Sequence, residues 1–375
     1  MLKVLIVEPQ MKQYRVPFFT KLHTALRSSG IDLRVAYSPP NAHEARKRDN
    51  ADLPEAIGVK VKGYGLLGNR LVFQPLLREV AWADLVVVDQ ATRHILSFLL
   101  LALSRFKLKK VGFWGHGRNR QGDLASFPER IKRHTVRWVD WWFAYTPGVT
   151  EYVSSLGVPV ERISTINNSI DTGEFRGLLT TVTTDQIHAA RGVLGVDDNS
   201  LIGLYCGGLY PDKHLDFLIE GAVLVQKQVP EFRLLVLGSG PEFSKVEIAA
   251  KKYPFIVALG PRFGREKALY FRMACVFLMP GLVGLAILDA FTAGLPLITT
   301  DVRIHSPEIE YLEDGVNGFM VKSDVVAYAE LVVRVLKSPG LLQALRGGAA
   351  RTAAKYSMEA MVENFRSGIV RCLAS

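Results

Sequence analysis

Cysteine is scarce in this 375-residue chain: Cys206, Cys275 and Cys372 lie far apart, and none belongs to a CxxC or a Cys/His cluster. A disulfide framework and a structural zinc site are therefore not expected, which fits a reducing compartment. Long hydrophobic runs are missing as well. The longest, Ile95–Leu103, has nine residues, against the roughly 20 that a spanning helix needs. The apolar start of the chain is broken at Glu8 and Pro9, too early for a secretory signal, so a cytoplasmic protein is expected. The loop after that first run has no GxGxxG, the fingerprint a nicotinamide-dependent oxidoreductase requires there. Neither a low-complexity tract nor a sequence repeat is visible.

What the chain has in quantity is apolar residues, 49%, against 22% charged. That is enough to bury large cores, and the length suits two domains. The formal charge of +10 is unevenly placed: residues 1–170 carry 25 Lys+Arg and 14 Asp+Glu, whereas 171–375 carry 21 and 22. The first half is expected to face something anionic, a phosphate-bearing substrate or a membrane surface. Nucleic acid is not expected, because no reading module accompanies the charge.

Short apolar runs alternate with helical periodicity in both halves. Val4–Val7, Leu33–Tyr37, Leu85–Val88, Val111–Trp114 and Trp142–Tyr145 read as buried strands, and Phe18, Leu22 and Leu26 mark a helix face between the first two. The second half offers Leu201–Cys206, Arg233–Leu237, Ile256–Leu259, Val276–Met279 and Leu297–Thr299. This βαβα order predicts two doubly wound parallel sheets, and such sheets bind ligands beyond the carboxyl ends of their strands. Gly177–Ser200, Thr-rich and weakly periodic, reads as a linker with a short helix over Asp185–Leu194.

The richest segment runs from Met279 to Thr300. A strand ends in Pro280, Gly281 and Gly284 follow, a helix begins near Leu285, and Gly294-Leu-Pro leads into the next strand. Glycines ahead of a helix let backbone approach a ligand, and the free amides of a first turn favour phosphate. Asp289 stands about one turn in, placed to accept hydrogen bonds from a ribose diol; the plainer alternative is a packed turn with Asp289 in a capping role. Lys213, at a loop-to-helix junction in Gly207-Gly208-Leu-Tyr-Pro-Asp-Lys213, is a suitable phosphate partner. In the first half, His116 leaves a strand between Gly115 and Gly117, with Arg118 next, and Arg15 lies in the loop after the first strand. Arg130, Lys132, Arg133 and Arg137 precede Trp138, Trp141 and Trp142, and Arg105–Lys110 follow the apolar run. Bases beside large aromatics suit an anionic lipid interface, the alternative being a core helix and strand with bases outward.

The Met279–Thr300 segment resembles the signature region of retaining glycosyltransferases of family four, glycosyl transferases group 1, which have the GT-B fold: two Rossmann-like doubly wound domains facing across a cleft. In that family two glutamates separated by seven residues follow the strand-ending proline; Asp289 occupies the second position and Gly281 the first. Gly208 stands where an arginine is usual, and Lys213 matches the family's diphosphate-binding lysine. Gly238-Ser-Gly240 resembles the glycine-rich turn after the second strand, and Leu259-Gly-Pro-Arg262 the loop that reads the base. The resemblance implies domains at 1–172 (acceptor) and 201–355 (donor), a linker at 173–200 and a closing helix at 356–375 returning to the first domain.

It further implies transfer of a hexosyl or N-acetylhexosaminyl group from a nucleotide-sugar, UDP before GDP, to a glycan or lipid-linked acceptor, with retention and without a metal or other cofactor. Cell-surface polysaccharide or lipopolysaccharide synthesis is the expected setting, with peripheral contact at the inner face of an anionic membrane. Catalytic roles fall to His116 and Lys213; donor contacts to Gly208, Lys213, Gly238, Gly240, Arg262, Gly284, Leu285 and Asp289; acceptor contacts to Arg15, His116 and Arg118. Because Gly208 and Gly281 replace charged family residues, a non-catalytic nucleotide-sugar or glycan binding protein stands as the alternative, with a sugar-nucleotide epimerase third.

Overall fold

A computed structural model describes residues 1–40, 49–66, 71–90, 94–117 and 127–375; Arg118 lies outside the described residues. The chain divides into two compact units, Met1–Asp171 with Met358–Ser375, and Thr172–Ser357.

In the first unit the strands are β1 (Leu2–Gln10), β2 (Ile31–Ser38), β3 (Gly58–Lys60), a hairpin of β4 (Tyr64–Leu66) and β5 (Leu71–Phe73), then β6 (Leu85–Asp89), β7 (Lys110–Gly115), β8 (Trp141–Ala144) and β9 (Ile163–Thr165). Seven of them form one parallel sheet in the order β3-β2-β1-β6-β7-β8-β9. Alternate residues of β1 enter opposite layers. Val4 and Ile6 pack with Phe18, Leu22 and Phe365, whereas Leu5 and Val7 pack with Leu96, Leu100 and Val149. Helices cover both faces, so the strands are apolar throughout rather than alternating.

The helix Met358–Ala374 belongs to this unit. Phe365 stacks on Phe143 with ring centroids 4.3 Å apart, and a Cβ at Gly368 would stand 2.5 Å from the Ser164 hydroxyl, so only glycine permits this approach. Lys21 Nζ pairs with Asp171 at 3.3 Å and Glu359 at 2.7 Å. It thereby ties down the chain where it leaves the unit and where it returns.

The second unit holds β10 (Leu201–Cys206), β11 (Phe232–Leu237), β12 (Ile256–Gly260), β13 (Val276–Leu278), β14 (Leu297–Thr300) and β15 (Gly318–Val321). They form a parallel sheet ordered β12-β11-β10-β13-β14-β15, the 3-2-1-4-5-6 order of dinucleotide-binding folds.

One expectation is corrected. In the segment read as a linker, 173–200, the short helix expected over Asp185–Leu194 is present as Thr184–Val193, but a further helix, Thr172–Thr180, precedes it and both are folded onto the second unit. Phe175 meets Phe271 edge-on at 5.2 Å, and a capping box joins Thr183 and Gln186; the polar outer faces hid the periodicity. Of the two readings left open for the basic, tryptophan-bearing stretch, the core alternative holds for Trp141 and Trp142, which are buried in β8, the strand expected at Trp142–Tyr145. Their indole N–H groups donate to Ser164 Oγ and the Val136 carbonyl, which removes the cost of burying them.

Candidate functional site

In the second sheet the strand order reverses between β10 and β13, and the loops leaving these two strands are stitched together. Leu282 N–H donates to the Asp212 carbonyl at 2.8 Å, and Lys213 Nζ donates to the Leu282 carbonyl at 2.5 Å. A Cβ at Gly281 would stand 2.4 Å from the Asp212 oxygen and from the Lys213 carbonyl carbon. The loop over residues 210–213 therefore fills the room that a side chain at 281 would need. At Gly208 the ring of Tyr210 does the same, with Cε2 2.6 Å from a Cβ. These contacts give a physical reason for both glycines.

The turn after β11 closes the third side. Gly238 has φ +144 and its Cβ would lie 1.8 Å from the Gly207 oxygen; a Cβ at Gly240 would lie 2.4 Å from the Leu209 oxygen. Leu209 N–H donates to Ser239 and Glu242 N–H to Leu209. The missing side chains let the two loops close on each other. On the loop after β10 stands Lys213, half-buried, whose pKa burial pushes down from 10.5 to about 8. Among the described residues its ammonium has one hydrogen-bond partner, the Leu282 carbonyl, and such a group gains from an added anion.

Sequence reasoning missed His305, which holds the 280–285 loop from behind. Its Nδ1 accepts from Val283 N–H at 3.0 Å, so its Nε2 carries the proton and donates to the Thr300 carbonyl at 2.7 Å. Thr299 and Thr300 hydroxyls donate to the Met279 and Pro280 carbonyls. No motif flagged His305, because its partners are backbone groups, Val283 N–H 22 residues away and the Thr300 carbonyl five residues away. His305→Ala leaves Val283 N–H without this acceptor. It is expected to weaken nucleotide binding by about tenfold, through a loss of ~1–2 kcal/mol in loop stability; titration calorimetry of wild type and variant checks it.

Asp289 is on the helix Ala286–Thr292 and pairs through Oδ2 with Lys267 Nζ at 2.7 Å. Lys267, a second residue missed, lies over Phe175 at 4.6 Å. Burial alone would lower its pKa, but the nearby Asp289, with Cys206 and Glu174, together outweigh that and raise it. Beside the pair, burial pushes the Cys206 thiol up to about 12, making it an unreactive neutral neighbour. Arg262 reaches Glu266 at 3.1 Å, and its buried Nε has no hydrogen-bond partner among the described residues.

In the first unit, Arg15 and His116 meet at Tyr145. The His116 ring is exposed and lies 4.4 Å from the Tyr145 ring. Arg15, expected in an open loop, is buried: it donates to Asn168 Oδ1 at 2.9 Å and Tyr145 Oη at 3.1 Å and lies over Trp114. Desolvation of the guanidinium is offset by these bonds and the aromatic face. Among the described residues there is no group of three His, Cys, Asp or Glu side chains able to hold a metal, and no helix is long and apolar enough to cross a membrane.

Two parallel doubly wound sheets, the second with a glycine-lined cationic turn at its crossover, define a two-unit α/β protein of nucleotide-binding architecture. Residues 201–338 match the family model described as glycosyl transferases group 1, and residues 18–174 that of glycosyltransferase family 4. The chain belongs to this glycosyltransferase family and has the GT-B fold.

It is 26% identical over 183 residues to the alpha-monoglucosyldiacylglycerol synthase of Acholeplasma laidlawii, covering 47% of this chain and 45% of that protein. To a D-inositol 3-phosphate glycosyltransferase of Streptomyces avermitilis it is 30% identical over 181 residues, 44% of this chain and 38% of that one. The matched region thus spans less than half the length of these curated relatives. Among solved structures, HepE of Anabaena in complex with UDP superposes with TM-score 0.72 at 14% identity, covering 98% of this chain and 100% of that one. The pneumococcal O-GlcNAc transferase GtfA gives 0.69 at 12%, covering 100% and 99%.

Proposed function

We propose that the chain transfers a hexosyl or N-acetylhexosaminyl group from a nucleoside diphosphate sugar, UDP before GDP, to a glycan or lipid-linked acceptor, with retention and without a metal, in cell-surface polysaccharide or lipopolysaccharide synthesis. The observation that carries this reading is the stitched turn of the second unit, where Lys213 Nζ joins Leu282 in front of glycines that admit no Cβ. Loss of the diphosphate from the anomeric carbon puts negative charge on the leaving group. In this reading Lys213 and the amides near Gly284 and Leu285 stabilise that charge without reorganising. Gly208, Gly238 and Gly240, whose missing side chains let the neighbouring loops close on one another, keep the donor turn in shape, Asp289 takes the ribose, and Arg262 the base. His116 is assigned to the reacting sugar, with Arg15 setting the position of Tyr145 beside it. Support comes from family membership and from UDP in the HepE complex.

Thermal stabilisation by UDP, GDP and their sugars, followed by transfer to an acceptor panel in the presence of EDTA, tests this. A second reading, a binding protein without turnover, is favoured by the filled space at Gly281, where no acidic side chain fits. Binding of UDP-sugars with neither transfer nor hydrolysis would select it.

Peripheral contact with an anionic membrane is part of the proposal. Phe106 and Leu108 are 72% and 69% exposed and Trp138 36%, and no Asp or Glu occurs from residue 90 to 122, where Arg105, Lys107, Lys109 and Lys110 do. Pairing apolar insertion with basic attraction is how peripheral proteins bind anionic lipid. Phe106→Ser with Leu108→Ser is expected to weaken sedimentation with phosphatidylglycerol vesicles by about tenfold, with little binding to phosphatidylcholine in either protein.

A further inference from the structure

The loop after β10 carries an acid to which the reading of the sequence assigns no role. Asp212 stands between Pro211 and Lys213 in a single turn. Its main chain is fixed: the carbonyl accepts from Leu282 N–H at 2.8 Å, and the next amide, Lys213 N–H, donates to the Tyr210 carbonyl at 3.0 Å. Its side chain is unsatisfied. Oδ1 is buried without a hydrogen-bond partner among the described residues, although the residue as a whole is only half-buried. A carboxylate oxygen closed off from water with no donor costs free energy, and such a group in a native fold points to a partner that arrives from outside.

The groups that feel its charge are Lys213 and the buried Tyr205 phenol at the end of β10. Both are engaged elsewhere: the phenol donates to the Gly208 carbonyl at 2.8 Å and the ammonium to that of Leu282 at 2.5 Å. Asp212 also stands where the facing loop lacks an acid. A Cβ at Gly281 would come 2.4 Å from the Asp212 main-chain oxygen, so the turn bearing Asp212 takes the room of a side chain at 281. The carboxylate at this crossover therefore comes from the β10 loop, one residue before Lys213. The Cβ–Cγ torsion of an aspartate is soft, and either oxygen can turn to the open side.

In the transferase reading Lys213 meets the diphosphate. A carboxylate one residue away repels phosphate oxygens, and its complement on the same ligand is a group that donates hydrogen bonds. With the ribose given to Asp289, that group is a hydroxyl of the transferred sugar, which is joined to the second phosphate. We propose that Asp212 is a donor-specificity residue whose carboxylate accepts a hydroxyl of the transferred sugar, in the place an acid at 281 would hold. The proposal deepens the transferase reading and rests on it for the ligand. It assigns phosphate and sugar to consecutive residues, so the two contacts can be lost separately.

The test uses the full chain and calorimetric titration with UDP-glucose, UDP-galactose and UDP-N-acetylglucosamine. The reference is the methyl ester of UDP on its second phosphate, which has the charge of a UDP-sugar and no sugar hydroxyl. GDP-mannose and the GDP methyl ester form a second series. The quantity read is the dissociation constant of the best-bound sugar nucleotide divided by that of its methyl ester. Asp212→Ala is expected to raise this ratio about tenfold, and Asp212→Asn by less, because its amide oxygen still accepts. Methyl-ester binding is unchanged or tighter, since a repelling charge has gone, and the melting temperature holds or rises. Asp212→Asn keeps the shape of the turn and reads the ratio even where alanine disturbs it. A ratio unmoved in both variants overturns the assignment. So does equal weakening of ester and sugar nucleotide, the result of a merely structural turn; either outcome leaves the transferase reading standing. Wild-type protein that binds neither nucleotide series removes both readings together.

Discussion

Lys213→Ala is expected to lower kcat/KM for the nucleotide-sugar by about 100-fold or more, equivalent to ~2.7 kcal/mol of transition-state stabilisation, with the melting temperature held or raised. The substitution removes an ammonium tied to the 280–285 loop, and with it a cation whose burial lowers its pKa to about 8. The two effects have opposite signs with pH. Bound diphosphate favours the charged lysine, so nucleotide affinity is level below about pH 8 and falls as pH rises past it. Folding stability behaves in the reverse way: the folded pKa lies below the ordinary 10.5, so the unfolded chain holds the proton longer and stability increases between those two values. Calorimetric titrations from neutral to alkaline pH check the first statement and urea unfolding the second. A flat affinity profile in wild type, or an unchanged kcat/KM in the variant, would remove Lys213 from the donor site.

Gly281→Glu restores the family's acidic residue and is expected to damage the protein instead of activating it. Its Cβ would enter the space 2.4 Å from the Asp212 oxygen and the Lys213 carbonyl carbon. Backbone on both sides cannot yield as a flexible side chain does. The two loops must separate, breaking Leu282 to Asp212 and Lys213 to Leu282. A loss of roughly 3 kcal/mol in the stability of the second unit follows from such overpacking, with nucleotide binding lost alongside. Differential scanning calorimetry with and without UDP measures both. If the variant were as stable as wild type and more active, the loop would be open and the glycine an ordinary deficiency.

Much of the architecture was legible in the sequence because buried parallel strands announce themselves. Val4–Val7 and Leu201–Cys206 are short, apolar and bounded by turns, and the structure places them inside the two sheets, away from the edges. The short edge strands β3, β9 and β15 were not read, having three or four residues each. Thr172–Thr180 was misjudged because its buried Phe175 and Leu179 are interrupted by glycine and charge. At the candidate site, the glycines and Lys213 stood out locally. Arg15 appeared as a loop cation, although Asn168, 153 residues on, draws it inside.

The sequence by itself determined the alternation of strand and helix, the family, the scarcity of cysteine and the basic first half, since each is a property of residues near one another or of composition. Only the tertiary structure decided that Gly281 has no room for a side chain, that His305 and Lys267 hold the loop and Asp289, and that Asn168 draws Arg15 inside. Those facts depend on which strands become neighbours, and strand pairing joins residues whose separation along the chain carries no local signal.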